Sequence, residues 1–475
     1  MNARRPTAVR LWGRVGTRFL PFADAATKEL PLPRLLRLSL FQVSVGLAMV
    51  LLNATLNRVM IVELGISATL VSLMVALPLL FAPLRALIGH KSDTHRSILG
   101  WKRVPYIWAG TMLQFAGLAI MPFSLLVMTG EGQSGPLLGE MSAALAFLMV
   151  GAGVAMTQTA GLALANDLAP VESRPRVVSL LYVMLLLGMF FSSLALGRAL
   201  IDFSPTQLVA VISTTAIVTV VLNVIALWKQ EARVQGGTAP EPEDENFAAN
   251  WARFTAKPGT RRLLTAVGLG AAGFGMQDIL LEPYGGQVLG LGVGQTTLLT
   301  ALSSAGTLIG LALAARSLAQ GSEPARLAGY GVLAGIAAFA MVIFSAPLAS
   351  VPLFALGAAL IGFGNGLFAV CTLTAAMSIV IDGKSGIALG AWGAVQATAA
   401  GIGIIVSGAI RDGVGNLAMS GALGPGMASP FTGYSIVWHL EIALLFMSLI
   451  ALGPLARRTP VAHHRVRFGL AEFPT

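Results

Sequence analysis

The sequence is 475 residues long, 55% hydrophobic and only 11% charged, with a mean hydropathy of +0.78. Because a soluble domain is about 25% charged, so few charges cannot coat a water-soluble protein of this length, and lipid must cover much of its surface. The single cysteine, Cys371, excludes an internal disulfide and a zinc site built from cysteines. The net charge of +10 does not predict nucleic-acid binding, because the basic residues fall in loops between apolar segments.

The N-terminal arm, residues 1–34, is basic and has no long apolar core, so we expect neither a cleavable signal peptide nor a membrane span there. Arg10, Arg14 and Arg18 would share one face of a helix. Such an arm either rests on the anionic cytoplasmic leaflet or simply marks the cytoplasmic side of the membrane.

Twelve apolar segments follow, each long enough to cross the bilayer core. Backbone groups in lipid must bond within their own segment, so we expect these segments to be helices. The predicted spans are 36–60, 67–88, 104–127, 140–166, 177–200, 206–228, 263–281, 296–316, 325–345, 351–380, 386–410 and 433–455.

Basic residues mark one side of the membrane. They concentrate in the arm, in the loops after even-numbered spans and in the tail 457–475, whereas the opposite loops hold little beyond Arg58, Arg198 and Arg411. The positive-inside rule therefore predicts a multi-pass inner-membrane protein with both termini in the cytoplasm.

The spans divide into two sets of six, in halves 35–229 and 262–456. A cytoplasmic linker, 230–261, joins them, and its first part is rich in proline, glycine and acidic residues. This is the layout of major facilitator transporters, so we predict an all-α membrane protein with two pseudo-symmetric six-helix bundles. The fold alone names no substrate.

The loop after the second span, within residues 85–108, resembles the cytoplasmic Gly-x-x-x-Asp-Arg-x-Gly signature of the facilitator superfamily, with extra residues inserted. Gly89, Asp93 and Arg96 carry the resemblance. In that superfamily the loop latches the two halves together, and we expect the same here. The alternative is a basic loop that only sets the topology.

Ionisable residues at membrane depth are suspected functional groups by default. The first span ends with Asn57 and Arg58, and the seventh span, its counterpart in the second half, ends with Asp278 and Glu282. We favour an ion pair between Arg58 and Asp278 or Glu282 that closes the periplasmic mouth. The rival partner of Arg58 is Glu63, five residues on. Proton coupling through Asp278 or Glu282 is the functional alternative.

Other polar side chains lie inside the spans. Asn, Gln and His can hydrogen-bond across helices or can ligate the magnesium of a tetrapyrrole. His439 is the only histidine inside a span, so it is the first candidate for an axial ligand. The glycine-rich run 362–366 permits close approach by another helix or by a flat ring. The further ligand candidates are Gln158, Asn365 and Gln396. The span that carries His439 also carries Glu441.

No hydrolase triad, phosphate-binding loop or metal-spaced cluster of His and Cys is present in the sequence. We therefore expect no enzyme activity, no catalytic residues and no metal site. A proton- or ion-coupled transporter of a small solute stays open as an alternative. Its mark would be a wet central cavity with buried carboxylates, and the few acidic residues deep in the spans count against it.

Six stretches resemble one particular family. They are residues 85–108, TQTAGLALANDLAP (157–170), ESRPRVVSLLYVMLLLGM (172–189), GFGMQDILLEPYGGQVLGL (273–291), GFGNGLFAV (362–370) and LGAWGAVQATAAGIG (389–403). Together they resemble the PucC/LhaA family of photosynthetic bacteria, the bacteriochlorophyll-delivery branch of the facilitator superfamily, over roughly residues 35–455. Within that family we lean toward the core-antenna, LhaA type.

The resemblance implies a non-enzymatic factor that helps assemble light-harvesting antenna complexes in the photosynthetic inner membrane, delivering or shielding bacteriochlorophyll or a precursor. The implied partners are antenna polypeptides and lipid, with the reaction-centre core and pigment-synthesis enzymes as further candidates. The resemblance also implies that Asp167, Arg174 and Arg176 belong to the residues that gate the protein or link its two halves. The motif positions that carry over are Gly89, Asp93, Arg96, Gln158, Asp167, Arg174, Arg176, Gln277, Asp278, Glu282 and Tyr284.

Overall fold

The computed structural model describes residues 30–80, 101–128, 136–170, 173–231, 259–378 and 386–456. Within these ranges the regular secondary structure is helical, and eleven helices are long and apolar enough to cross a membrane. Including the shorter α2, the helices are α1 (Leu32–Glu63), α2 (Ala68–Leu80), α3 (Val104–Met128), α4 (Pro136–Leu168), α5 (Arg174–Ala199), α6 (Pro205–Leu227), α7 (Thr260–Gln287), α8 (Val293–Ala319), α9 (Pro324–Ser345), α10 (Val351–Met377), α11 (Gly386–Met419) and α12 (Pro430–Leu452).

Every predicted span coincides with one of these helices, so the predicted all-α fold class is confirmed. The second part of the predicted span 67–88 lies outside the described residues, as do the latch positions Gly89, Asp93 and Arg96. Most of the arm, most of the linker and the whole tail lie outside them too. Their roles, and the cytoplasmic position of the termini, stay predictions.

Serine and proline define where several helices begin. The side-chain oxygens of Ser204, Ser350 and Ser429 each accept a backbone N–H from the first turn of α6, α10 and α12. Each of these helices also has a proline in that turn, where the missing N–H costs nothing. The loop-to-helix boundaries are therefore encoded locally.

Glycines allow the helices to pack closely. A Cβ atom on Gly306 of α8 would collide with the backbone of Ala359 in α10, and one on Gly362 of α10 would collide with Ser303 of α8. Gly364 faces Gly331 of α9 in the same way. The glycine-rich run 362–366 thus serves close approach by two neighbouring helices, as small residues do in membrane bundles.

The two central helices depart from regular α geometry. α1 contains two π-helical segments, Leu51–Leu56 and Val59–Glu63, and α7 contains a 3-10 turn at Met276–Ile279. The first π segment packs against the 3-10 turn. Such irregular turns frequently occur at functional sites, and the apolar span pattern did not reveal them.

The two halves, α1–α6 and α7–α12, contact each other through α5 with α8, α2 with α11, and α1 with α7. We call one end of the molecule the joined end. Gly197 of α5 approaches Gly294 of α8 closely there. By the positive-inside prediction this end faces the periplasm. Its described loops are 64–67, 200–204, 288–292, 346–350 and 420–429.

Candidate functional site

Arg58 lies at the joined end and is 3% exposed. Its Nη1 forms an ion pair with Glu63 Oε1 at 2.9 Å, and its Nη2 donates to the carbonyl oxygen of Leu291 in the other half at 3.1 Å. Gly286 of α7 leaves room for the guanidinium, because any side chain there would collide with it. Arg58 therefore bridges the two halves.

The favoured ion pair between Arg58 and Asp278 or Glu282 is wrong in this structure, and the rival partner Glu63 takes its place. The physical reason is the π-helical segment Val59–Glu63. Residues five apart become neighbours in a π-helix, which brings Glu63 beside Arg58.

Asp278 joins the halves through its backbone. The Nδ2 of Asn57 in α1 donates to its carbonyl oxygen at 3.3 Å, and nearby the hydroxyls of Thr55 and Thr297 lie 3.4 Å apart. The Asp278 side chain accepts a hydrogen bond from Gln277. Asp278 itself is exposed, and the 3-10 turn that carries it contacts α1 and α2 of one half and α11 and α12 of the other.

Asp412 of α11 caps a helix in the other half. Its Oδ2 accepts both the backbone N–H and the hydroxyl of Thr69, in the first turn of α2, at 2.7 Å each. Its Oδ1 is held by Arg411 at 2.7 Å. A carboxylate at a helix N-terminus satisfies a free N–H and interacts favourably with the helix dipole. The C-terminal half therefore stabilises the start of α2.

Arg411 links three helices of the C-terminal half. Its Nη2 donates to Gln287 Oε1 of α7 at 2.5 Å, and the Tyr434 hydroxyl of α12 donates to the same oxygen at 2.8 Å. The guanidinium also lies 5.0 Å from the centre of the Tyr434 ring, a cation–π contact. Arg411, one of the few basic residues on this side of the membrane in the predicted topology, therefore holds α7, α11 and α12 together at the joined end.

Tyr284, a motif position in the sequence, lies at the centre of a buried aromatic cluster. Its ring centroid is 5.3 Å from Phe354, 5.5 Å from Tyr434 and 5.8 Å from Trp438. Its hydroxyl donates to the carbonyl oxygen of Val342 at 3.0 Å. The role that this structure gives Tyr284 is packing of α7 against its neighbours.

Two carboxylates are buried inside the C-terminal half. Glu282 Oε1 accepts from the Thr300 hydroxyl at 2.5 Å, while its Oε2 has no hydrogen-bond partner among the described residues. Glu441 of α12 is completely buried, and neither of its carboxyl oxygens has a partner there. Its helix, α12, contacts the 3-10 turn of α7 that carries Asp278.

At the opposite end, the predicted interdomain residue Asp167 pairs with Arg103 of its own half, with Arg103 Nε 2.9 Å from Asp167 Oδ2. Glu231 accepts the backbone N–H groups at the start of α3, including that of Val104 at 2.9 Å. Arg174 is exposed and donates to the Ala169 carbonyl at 3.4 Å, and Arg176 is half-buried. These contacts fasten the ends of α3, α4 and α6 together.

His439 lies on the outer face of α12. It is exposed, as are Ile436, Phe446 and Ile450 on the same face of the helix. Its Nδ1 is 2.7 Å from the carbonyl oxygen of Ser435. A carbonyl oxygen can only accept, so Nδ1 is the donor of this hydrogen bond, and Nε2 makes no hydrogen bond among the described residues.

The other three ligand candidates lie elsewhere. Asn365 is exposed on the side of α10 opposite the exposed Leu356. Gln158 of α4 and Gln396 of α11 are half-buried, Gln396 beside α7. The structure therefore does not bring His439 together with the three amides.

Sequence reasoning missed Thr69, Asp412 and Gln287, which make several of the polar contacts just described at the joined end. One signal was available in the adjacent charges Arg411 and Asp412 at the end of an apolar span. The rest depended on which helices meet, because their partners are 124 to 343 residues away in sequence.

The chain matches the family model described as PUCC protein over residues 55–460. An uncharacterised protein of the puhA–bchM intergenic region of Rhodobacter capsulatus is 53% identical over 474 residues, covering 98% of this chain and 99% of that protein. Protein PucC of Rhodovulum sulfidophilum is 56% identical over 420 residues, covering 87% and 92% of the two chains.

The structure is similar to that of a bacterial homologue of the human lysosomal transporter Spinster in its inward-facing, unoccupied conformation. The TM-score is 0.66 over 90% of this chain and 96% of that one, at 15% identity, so the likeness shows the fold alone. The fold is that of the major facilitator transporters, and the chain belongs to the PUCC protein family.

Proposed function

We propose that this protein is an assembly factor for bacterial light-harvesting antenna complexes, and that it holds bacteriochlorophyll, or a precursor, while antenna helices are inserted. Membership of the PUCC protein family supports the proposal, as does the resemblance of its motifs to the bacteriochlorophyll-delivery branch. The photosynthetic inner membrane is the proposed location. Antenna polypeptides are the proposed partners.

The observation that carries the pigment part of the proposal is the outward-facing His439. A histidine at membrane depth with its Nε2 lone pair open to lipid is an unusual use of a polar residue. Its hydrogen bond to Ser435 sets the tautomer and orients the ring, as bonds to the second nitrogen do in metal-ligating histidines. Nε2 of His439 would be the atom that binds the magnesium of a bacteriochlorophyll.

The surroundings of His439 fit a flat apolar ring. Ile436 lies one turn before it, and Phe446 and Ile450 continue the exposed face toward the other end of α12. His439 is roughly 14 Å along the helix from Pro430, well inside the bilayer core. A pigment held there would be reachable sideways through lipid by an antenna helix, so the function needs no polar central channel.

The experiment is purification of the wild-type protein and the His439→Ala variant from pigment-replete membranes, followed by absorption spectroscopy and identification of the polypeptides that co-purify. We expect bacteriochlorophyll in stoichiometric amount with the wild type and a loss of most of it with His439→Ala. Ile436→Ala, on the same face, is the matched control and should retain pigment. A colourless wild-type protein that co-purifies with no antenna polypeptide would contradict the proposed assembly role. Full retention of pigment by the His439→Ala variant would contradict the assignment of His439 as the pigment ligand.

A proton- or ion-coupled transporter of a small solute is the second candidate. The observation that favours it is the pair of irregular central helices, α1 and α7, which meet at the joined end beside buried carboxylates. Uptake of a polar solute by vesicles containing the purified, colourless protein would support it over the assembly role.

A further inference from the structure

Three buried polar atoms at the contact between α1 and α7 have no hydrogen-bond partner among the described residues. They are Oδ1 of Asn57, Nε of Arg58 and Oε2 of Glu282, and the three residues are 0%, 3% and 4% exposed. Such an atom is costly in a protein interior, because it has given up its hydrogen bond to water and has gained none in return. The direct contacts between the halves do not explain this group of atoms.

The printed contacts of these residues place the three atoms in one region of the interface. Asn57 and Arg58 are neighbours in α1, and Nδ2 of Asn57 donates to the carbonyl oxygen of Asp278 at 3.3 Å. The guanidinium of Arg58, including its Nε, lies against Gly286. Glu282 is four residues from Asp278 and four from Gly286, so it shares their face of α7. Its carboxylate therefore lies between the two points where α1 contacts α7.

The remaining atoms of these side chains are already held in place. Oε1 of Glu282 accepts from the hydroxyl of Thr300 in α8 at 2.5 Å. Nη1 of Arg58 is paired with Glu63, and its Nη2 donates to the carbonyl oxygen of Leu291. The unpartnered atoms thus belong to side chains with fixed orientations, as the groups of a preformed binding site do.

The chemistry of the three atoms selects the ligand. Because Nδ2 of Asn57 is a donor, its Oδ1 is an acceptor, as is the carboxylate oxygen of Glu282, whereas Nε of Arg58 can only donate. A metal cation would bind the two oxygens but would be repelled by the guanidinium and could not accept its N–H. An anion would accept that N–H but would be repelled by the carboxylate. A water molecule has two hydrogens to donate and a lone pair to accept, so it matches all three atoms.

We infer that Asn57, Arg58 and Glu282 form a sealed water-binding site that bridges α1 and α7. Water bound there donates to the two oxygens and accepts from Nε of Arg58. It links Arg58 to Glu282 across the two halves, where the sequence analysis favoured a direct ion pair, and water-mediated links of this kind hold nearly as well as direct ones. The site is independent of pigment binding and of antenna assembly.

The test is a crystal structure of the wild-type protein in a lipid phase, at a resolution that shows ordered water. We expect a density peak about 2.7–3.2 Å from Oε2 of Glu282 and at the same distance from Oδ1 of Asn57 or Nε of Arg58. The absence of a peak would overturn the inference, and so would a peak that bonds to atoms of one helix only.

Ions are tested in crystals grown with Rb⁺ and Br⁻ in place of Na⁺ and Cl⁻. We expect no anomalous signal at the peak, and a signal from either ion would overturn the assignment to water.

The Glu282→Leu variant removes the acceptor on α7 and puts an apolar side chain of similar size in its place. We expect the peak to be lost from this variant. Asp202→Leu, the same change at an exposed carboxylate in the loop 200–204, is the matched control and should keep the peak. An unchanged peak in Glu282→Leu would overturn the site. If Glu282→Leu does not fold, the wild-type density and the ion replacement decide the inference by themselves.

Discussion

Asp412 and Thr69 lie 343 positions apart in sequence, yet the carboxylate of Asp412 caps the helix whose first turn contains Thr69. The bond crosses from the second six-helix half to the first. It ties the start of α2 to the end of α11, and Arg411 holds the carboxylate in place from the same side of the interface. The joined end thus depends on a few specific polar contacts as well as on apolar packing.

Removal of this cap should loosen the joined end. We expect Asp412→Ala to lower the free energy of unfolding by about 1–2 kcal/mol, because α2 loses its N-terminal acceptor and Arg411 loses its paired charge. Thermal unfolding of the purified protein in detergent measures the effect. Asp202→Asn, at an exposed carboxylate in the loop 200–204, is the control and should change little. Equal stability of Asp412→Ala and the wild type would show that the cap contributes nothing.

Charge reversal identifies the partner of Arg58. We expect Arg58→Glu to destabilise the protein by about 3 kcal/mol or more, because a buried negative charge would then face Glu63. Adding Glu63→Arg should restore much of the loss, and adding Glu282→Arg should not. Unfolding midpoints of the single and double variants report the outcome. Rescue by Glu282→Arg and not by Glu63→Arg would show that Arg58 pairs with Glu282, the partner that the sequence analysis favoured.

The glycines between α8 and α10 should not tolerate a side chain. Gly306→Ala and Gly362→Ala each place a Cβ against backbone atoms of the facing helix, so we expect losses of about 1–3 kcal/mol. Gly413→Ala, in α11, meets no atom within 4 Å and is the control. It should be neutral or should stabilise the helix by up to about 1 kcal/mol. Unfolding curves that do not separate the three variants would rule out tight packing at this contact.

The positions of the twelve helices could be predicted from the sequence because bilayer thickness sets a minimum length for an apolar run. The spans at Val104–Met128 and Pro205–Leu227 agree with their predicted ranges to within one residue at each end. The pairing of Arg58 could not be predicted, because it depends on a π-helical segment that hydropathy does not register. Asp167 likewise meets Arg103 of its own half because of the way α3 and α4 pack.

His439 and Glu441 show most clearly which properties of a residue the sequence cannot predict. Hydropathy alone places both residues in the last apolar span, within a helix that crosses the membrane. That His439 faces outward and Glu441 is buried follows only from the way the helices pack. In a soluble helix a polar stripe marks the outer face, but here the lipid and the neighbouring helices are equally apolar, so no periodicity in the sequence separates the two faces.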